Sequence, residues 1–132
     1  MKTHYTYVKV RYAETDQMGV VHHGNYAQYL EMARIDWLGQ FGISYKKMEA
    51  EGIMLPVYSM QFKFIKPATF DDILKIETRL KKIPQVKIEF DYTIFNAEQE
   101  IITTASTVLV FMDAVSRKPI KCPDFILEKF EV

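Results

Sequence analysis

Two runs in the second half of the chain, "ILKIETRLKK" (73–82) and "VKIEFDYTIF" (86–95), alternate apolar and polar residues almost without a break. Leu74, Ile76, Thr78 and Leu80 oppose Lys75, Glu77, Arg79 and Lys81 in the first; Val86, Ile88, Phe90, Tyr92 and Ile94 share one side of the second. A period of two places each set on one face of a pleated strand, so each run has one face to bury. "IPQ" (83–85) and "NAEQE" (96–100) are short enough to be hairpin connections. Such a chain must build an antiparallel sheet and must find a cover for its apolar face.

The cover comes earlier in the sequence. From Asn25 onward, Tyr26, Tyr29, Leu30, Ala33, Trp37 and Phe41 recur at helical spacing and fall on one broad face. Asn25 suits an N-cap, with Gln28 completing a capping box, and Gly39 and Gly42 bracket the end. Met32, Ile35 and Leu38 lie off that face, which suits either incidental surface apolarity or burial by a partner subunit. A strand is expected over Tyr5–Tyr12, and a short helix from Ser44 to Gly52. "VYSMQFKF" reads as a strand with Tyr58, Met60, Phe62 and Phe64 on one side, ended by Pro67. A last strand over Ile101–Met112 is less alternating and expected to be buried on both faces. "CPDFILEKF" closes the chain as a short helix with Pro123 at its first position. One strand, one long helix and then hairpin-linked strands give α+β, a curved antiparallel five-stranded sheet around a central helix, in a single domain over 1–132.

Composition narrows the class. With 48% apolar and 14% aromatic residues over 132 positions, the chain can bury a core. Seventeen basic and seventeen acidic residues cancel, which argues against nucleic acid as a partner. One cysteine, Cys122, excludes an intrachain disulfide and fits a reducing compartment. No segment reads as a membrane span or a signal peptide, so a cytoplasmic protein is expected.

The chemistry concentrates in "TDQMGVVHHGNYAQYLEMAR" (15–34). Asp16 precedes a tight loop containing Gly19, Val20, Val21 and Gly24, and that loop feeds the long helix. Unpaired N–H groups at a helix start favour an anion or a polarised carbonyl. A carboxylate beside them supplies two parts of an acyl-transfer centre: a nucleophile or base, and an oxyanion hole. An isolated loop Asp is also an ordinary turn former. With three histidines in all and no cysteine near His22 and His23, no metal site is expected. G-x-S-x-G, Walker and dinucleotide-binding patterns are absent.

"RYAETDQMGVVHHGNYAQYLEMAR" closely resembles the signature of hot-dog-fold acyl-CoA thioesterases, in the branch of the 4-hydroxybenzoyl-CoA and Tol–Pal-associated thioesterases. The matching positions are Asp16, Gly19, Val20, Val21, His23, Asn25 and Tyr26; "LPVYSMQFKFIKPATFDDILKIET" is similar to the family's second block. The resemblance implies a hot-dog fold, a homodimer or homotetramer with active sites at the dimer interface, and hydrolysis of an acyl-CoA thioester. Asp16 would be nucleophile or general base. The His23 backbone N–H would polarise the carbonyl, and its side chain would orient the thioester or assist proton transfer. Gly19, Val21, Asn25, Tyr26, Lys63 and Lys66 complete the expected substrate-binding set, with Asn25 and Tyr26 read mainly as cap and core. Lys63, Lys66, Arg79, Lys81, Lys82, Arg117 and Lys118 are candidates for the coenzyme A phosphates. No separate cofactor is expected, since coenzyme A belongs to the substrate. Glu31 is rejected as a second carboxylate because it sits far around the helix, and His22 receives no role. A hydratase on the same fold and a non-catalytic acyl-CoA binder are the competing readings.

Overall fold

A computed structural model describes residues 2–130, so the outermost positions of the expected 1–132 unit, 1, 131 and 132, lie outside it. In chain order the elements are β1 (Thr3–Lys9), two 3-10 turns (Tyr12–Glu14 and His23–Asn25), α1 (Tyr26–Gln40), α2 (Tyr45–Ala50) and β2 (Ile53–Met54). They continue with β3 (Val57–Phe64), β4 (Ile73–Leu80), β5 (Lys87–Phe95), β6 (Ile101–Val110), β7 (Met112–Asp113) and α3 (Asp124–Leu127). Five strands form one antiparallel sheet in the order β1-β4-β5-β6-β3, while β2 and β7 pair separately. This is the hot-dog arrangement of one sheet curled against one long helix.

The alternating runs set the register. Ile76 faces Ile94, Thr78 faces Tyr92 and Leu80 faces Phe90, so each apolar set lands on the same side of the sheet. That side packs on Leu30, Ala33 and Trp37, all fully buried. The Trp37 ring meets Phe90 edge-on at 5.0 Å and stacks on Phe130 at 5.4 Å. Val86 precedes β5 and stays exposed instead of joining its apolar row.

Several boundaries differ from the sequence reading. The first strand occupies Thr3–Lys9 and not Tyr5–Tyr12, because the Val10 N–H turns to the Asp72 carbonyl and Arg11 then starts a 3-10 turn. Asn25 stands at the N-cap position of α1 as expected, but its backbone is already helical and its side chain makes no cap bond. The His22 imidazole caps the preceding turn instead, its Nδ1 accepting from the Gly24 N–H at 3.1 Å. Leu38, expected off the buried face, is 2% exposed. At the C-terminus of α1, Gly42 takes φ +77° and the Ile43 N–H returns to the Leu38 carbonyl at 2.9 Å, folding buried Ile43 back along the helix. Met32 and Ile35 do remain exposed.

Ser44 caps α2 as expected, accepting from the Lys47 N–H. Pro123 sits one place earlier than expected, at the cap of α3. The apolar side of β3 is only half covered: Met60 and Phe62 are half-buried, Tyr58 and Phe64 exposed. β6 stops at Val110, and its middle residues, Thr104 to Ser106, are half-buried.

Candidate active site

Asp16 sits at the base of a tight hairpin. Its N–H donates to the Val20 carbonyl at 2.9 Å and its carbonyl accepts from the Gly19 N–H at 3.0 Å. Gly19 takes φ +80°, a conformation that favours glycine in a three-residue loop. The Asp16 side chain uses one oxygen locally: Oδ1 accepts from the Met18 N–H at 2.9 Å, with the Val20 N–H at 3.4 Å. Oδ2 accepts no hydrogen bond among the described residues, and the residue is exposed.

The turn carrying His23 has most of its donors engaged. The Gly24 N–H goes to His22 Nδ1, the Asn25 N–H to the His22 carbonyl, and the His22 N–H to the Glu14 carbonyl. The His23 N–H meets no acceptor among the described residues. It is the kind of donor left over at the start of a helix. The His23 ring stacks on His22 at 4.3 Å and lies 6.4 Å from Phe64, roughly edge-on.

Asp16 and His23 share the wall of an open cleft of about 360 Å³ with Val21, Tyr26, Phe64 and Lys66. Tyr26 is buried, which raises the pKa of its phenol; the Thr103 hydroxyl and the Ala68 N–H beside it act in the opposite direction. Phe64 packs on Tyr26 at 5.2 Å and lies parallel to Phe62 at 5.6 Å. Lys66 is paired with Glu100, and that bond holds the Glu100 carboxyl below its ordinary value.

Five of the eight residues singled out in the sequence therefore come together: Asp16, Val21, His23, Tyr26 and Lys66. Three do not line the cleft. Gly19 shapes the hairpin, and the Asn25 side chain donates to the Glu14 carbonyl at 2.9 Å. Lys63 points to the other side of the sheet, because strand alternation separates it from Phe62 and Phe64. There it lines a shallow cleft with Gln61, Arg79, Asp91 and Thr104.

Sequence reasoning gave Glu14 no role and read Tyr29 only as core; the two are buried against each other behind the loop. Glu14 does carry a signal: it stands three residues after Arg11, the spacing of a capping box, and its carboxylate accepts from the Arg11 N–H. Cys122 is no competing nucleophile, since burial pushes its thiol up to about 12. Among the described residues no three His, Cys, Asp or Glu side chains converge as a metal site would require.

The model of the thioesterase-like superfamily matches residues 10–130. The chain belongs to this superfamily. Among its thioesterase-like relatives, the acyl-CoA thioester hydrolase YbgC of Escherichia coli O6:H1 is 32% identical over 124 residues, covering 94% of this chain and 92% of that protein. A crystal structure of a DHNA-CoA thioesterase from Staphylococcus aureus superposes with a TM-score of 0.89 at 38% identity, covering 92% of this chain and 81% of the other. A 4-hydroxybenzoyl-CoA thioesterase complexed with its thioester also reaches 0.89, over 99% of this chain and 100% of the other. At 18% identity that likeness speaks for the fold alone.

Proposed function

We propose that this thioesterase-like chain hydrolyses acyl-CoA thioesters to a carboxylic acid and free coenzyme A, with Asp16 as the reacting carboxylate. One observation carries the reading. Among the described residues the His23 N–H, in the turn leading into α1, is left without an acceptor while its neighbours are engaged, and His23 lines the same cleft as Asp16, one of whose carboxylate oxygens is also unengaged. A thioester carbonyl between them would place its developing negative charge on the N–H and its carbon toward the carboxylate. One such donor is worth about 3 kcal/mol of barrier.

Asp16 acts in one of two ways. As nucleophile it forms a C–O bond, the C–S bond breaks, the thiolate takes up a proton, and water then cleaves the mixed anhydride. As general base it removes a proton from the water that attacks. Single turnover in H₂¹⁸O identifies the anhydride route when water opens the anhydride at the Asp16 carboxyl carbon: the first acid released then carries unlabelled protein oxygen and Asp16 takes up the label, whereas the general-base route labels the acid.

Lys66 is the cation of this cleft suited to a coenzyme A phosphate, which would compete with Glu100 for it. The outer edge of β3 ends the sheet, and the cleft beside it is open. A second copy in a homodimer, or a homotetramer built from two, would close the cleft, exclude water and strengthen both interactions. Thiol release followed across coenzyme A esters of short, long and aromatic acids tests the reading. Turnover of at least one class is expected, and tight binding without thiol release from any of them would point to a non-catalytic acyl-CoA binder.

A further inference from the structure

The reaction centre is divided between two segments, and one buried side chain joins them. Glu14 lies two residues before Asp16 and is 7% exposed. Its Oε1 accepts from the Arg11 N–H at 2.8 Å and from the Tyr29 hydroxyl at 2.7 Å, one turn into α1. Its Oε2 accepts from Arg11 Nε at 3.0 Å and lies 2.9 Å from Nη2. The Glu14 carbonyl accepts from the His22 N–H and from Asn25 Nδ2, both at 2.9 Å. The carboxylate thus pins the Asp16 segment to the helix, and the carbonyl pins the turn that ends in the His23 donor.

The charges suit that task. Burial alone would raise the Glu14 pKa, but the Arg11 N–H, the Tyr29 hydroxyl and the Arg11 guanidinium outweigh it and hold the carboxyl below its ordinary value. Burial and the bond to Glu14 raise the Tyr29 pKa, so the phenol remains a donor. We propose that Glu14 is the positioning residue that fixes the Asp16 carboxylate relative to the His23 N–H, a role that rests on the acyl-transfer reading above. Glu14 need not touch substrate to do this.

The test compares Glu14→Ala, Glu14→Gln and Tyr29→Phe with the wild type, measuring kcat, KM and folded fraction on a coenzyme A ester that the wild type turns over. Glu14→Ala should lose about 10–100-fold in kcat with KM within about twofold, the pattern of misplaced reacting groups. Glu14→Gln keeps an acceptor for Arg11 and Tyr29 and should recover most of the rate; Tyr29→Phe should lose about threefold to tenfold. If Glu14→Ala does not fold, the two milder variants decide. Wild-type kcat in a folded Glu14→Ala or Tyr29→Phe protein would overturn the proposal, as would rate losses that simply follow the unfolded fraction. A wild type that hydrolyses no thioester would instead remove the acyl-transfer reading itself.

Discussion

The two edges of the sheet are built for different purposes. At the β1 edge, strand and helix are tied together by side chains. Asp36 of α1 accepts from the Thr6 hydroxyl at 2.6 Å and meets His4 Nε2 at 2.9 Å; Trp37 Nε1 donates to the Lys2 carbonyl at 3.3 Å, and the Lys2 ammonium lies over the Phe41 ring. At the β3 edge Phe64 packs on Tyr26, but no side-chain hydrogen bond joins β3 to α1 among the described residues. Phe62 is half-buried, Phe64 is exposed, and the gap toward α1 opens into the cleft holding Asp16 and His23. The helix is anchored on one side of the sheet, which leaves the other free to admit a substrate. Stability should therefore respond to changes at the β1 side, and turnover to changes at the β3 side.

The largest effect expected on the stable side is at Trp37, fully buried against Phe90 and Phe130. Trp37→Ala should cost about 3–5 kcal/mol in urea unfolding, and a loss below 1 kcal/mol would show that the helix is not anchored there. On the open side, His22→Ala removes the cap of the turn that presents the His23 N–H. It should lower kcat roughly tenfold while costing about 1 kcal/mol of stability. His22→Asn, which can still accept from the Gly24 N–H, should restore the rate; equal rates in the two variants would detach the cap from the chemistry.

Asp36→Ala gives the opposite pattern, a loss of about 1 kcal/mol from two tethers with kcat unchanged. Reduced turnover in that variant would erase the distinction between the edges. The smallest effect concerns pH. Because the folded-state pKa of Glu14 is lowered, its contribution to stability is complete above the ordinary glutamate value of 4.5 and is lost as pH falls through the folded value. Tm should decline as pH is lowered from about 5 to 3, less steeply in Glu14→Gln; identical slopes would show that Glu14 does not contribute.

Much of the β1 side was legible in the sequence, because burial on one face leaves a period. Leu74 to Leu80 and Ile88 to Ile94 carry it for the strands, and Tyr29 to Trp37 for the helix. Leu38 lies off the periodic face yet is buried in the same core cluster, beside a chain reversal at Gly42 that the helical period does not show. Asp16 and His23 stand out in the sequence through a resemblance, and residue chemistry alone stops at a candidate. Asn25 holds the N-cap position without bonding there, since the helix is entered through a 3-10 turn whose own cap is His22. Glu14 was invisible as a brace, because its importance lies in bonds to Tyr29 and Asn25, fifteen and eleven residues away. Period reveals faces; it does not reveal which polar side chains meet behind a loop.

The proposed chemistry turns on the Asp16 oxygen that accepts no hydrogen bond among the described residues. The direct measurement is kcat of Asp16→Asn on a coenzyme A ester hydrolysed by the wild type, with Tm recorded on the same preparation. A loss of at least about 10²-fold in kcat at unchanged Tm is the expected result. Wild-type turnover in the folded variant would contradict the assignment of Asp16 as the reacting carboxylate.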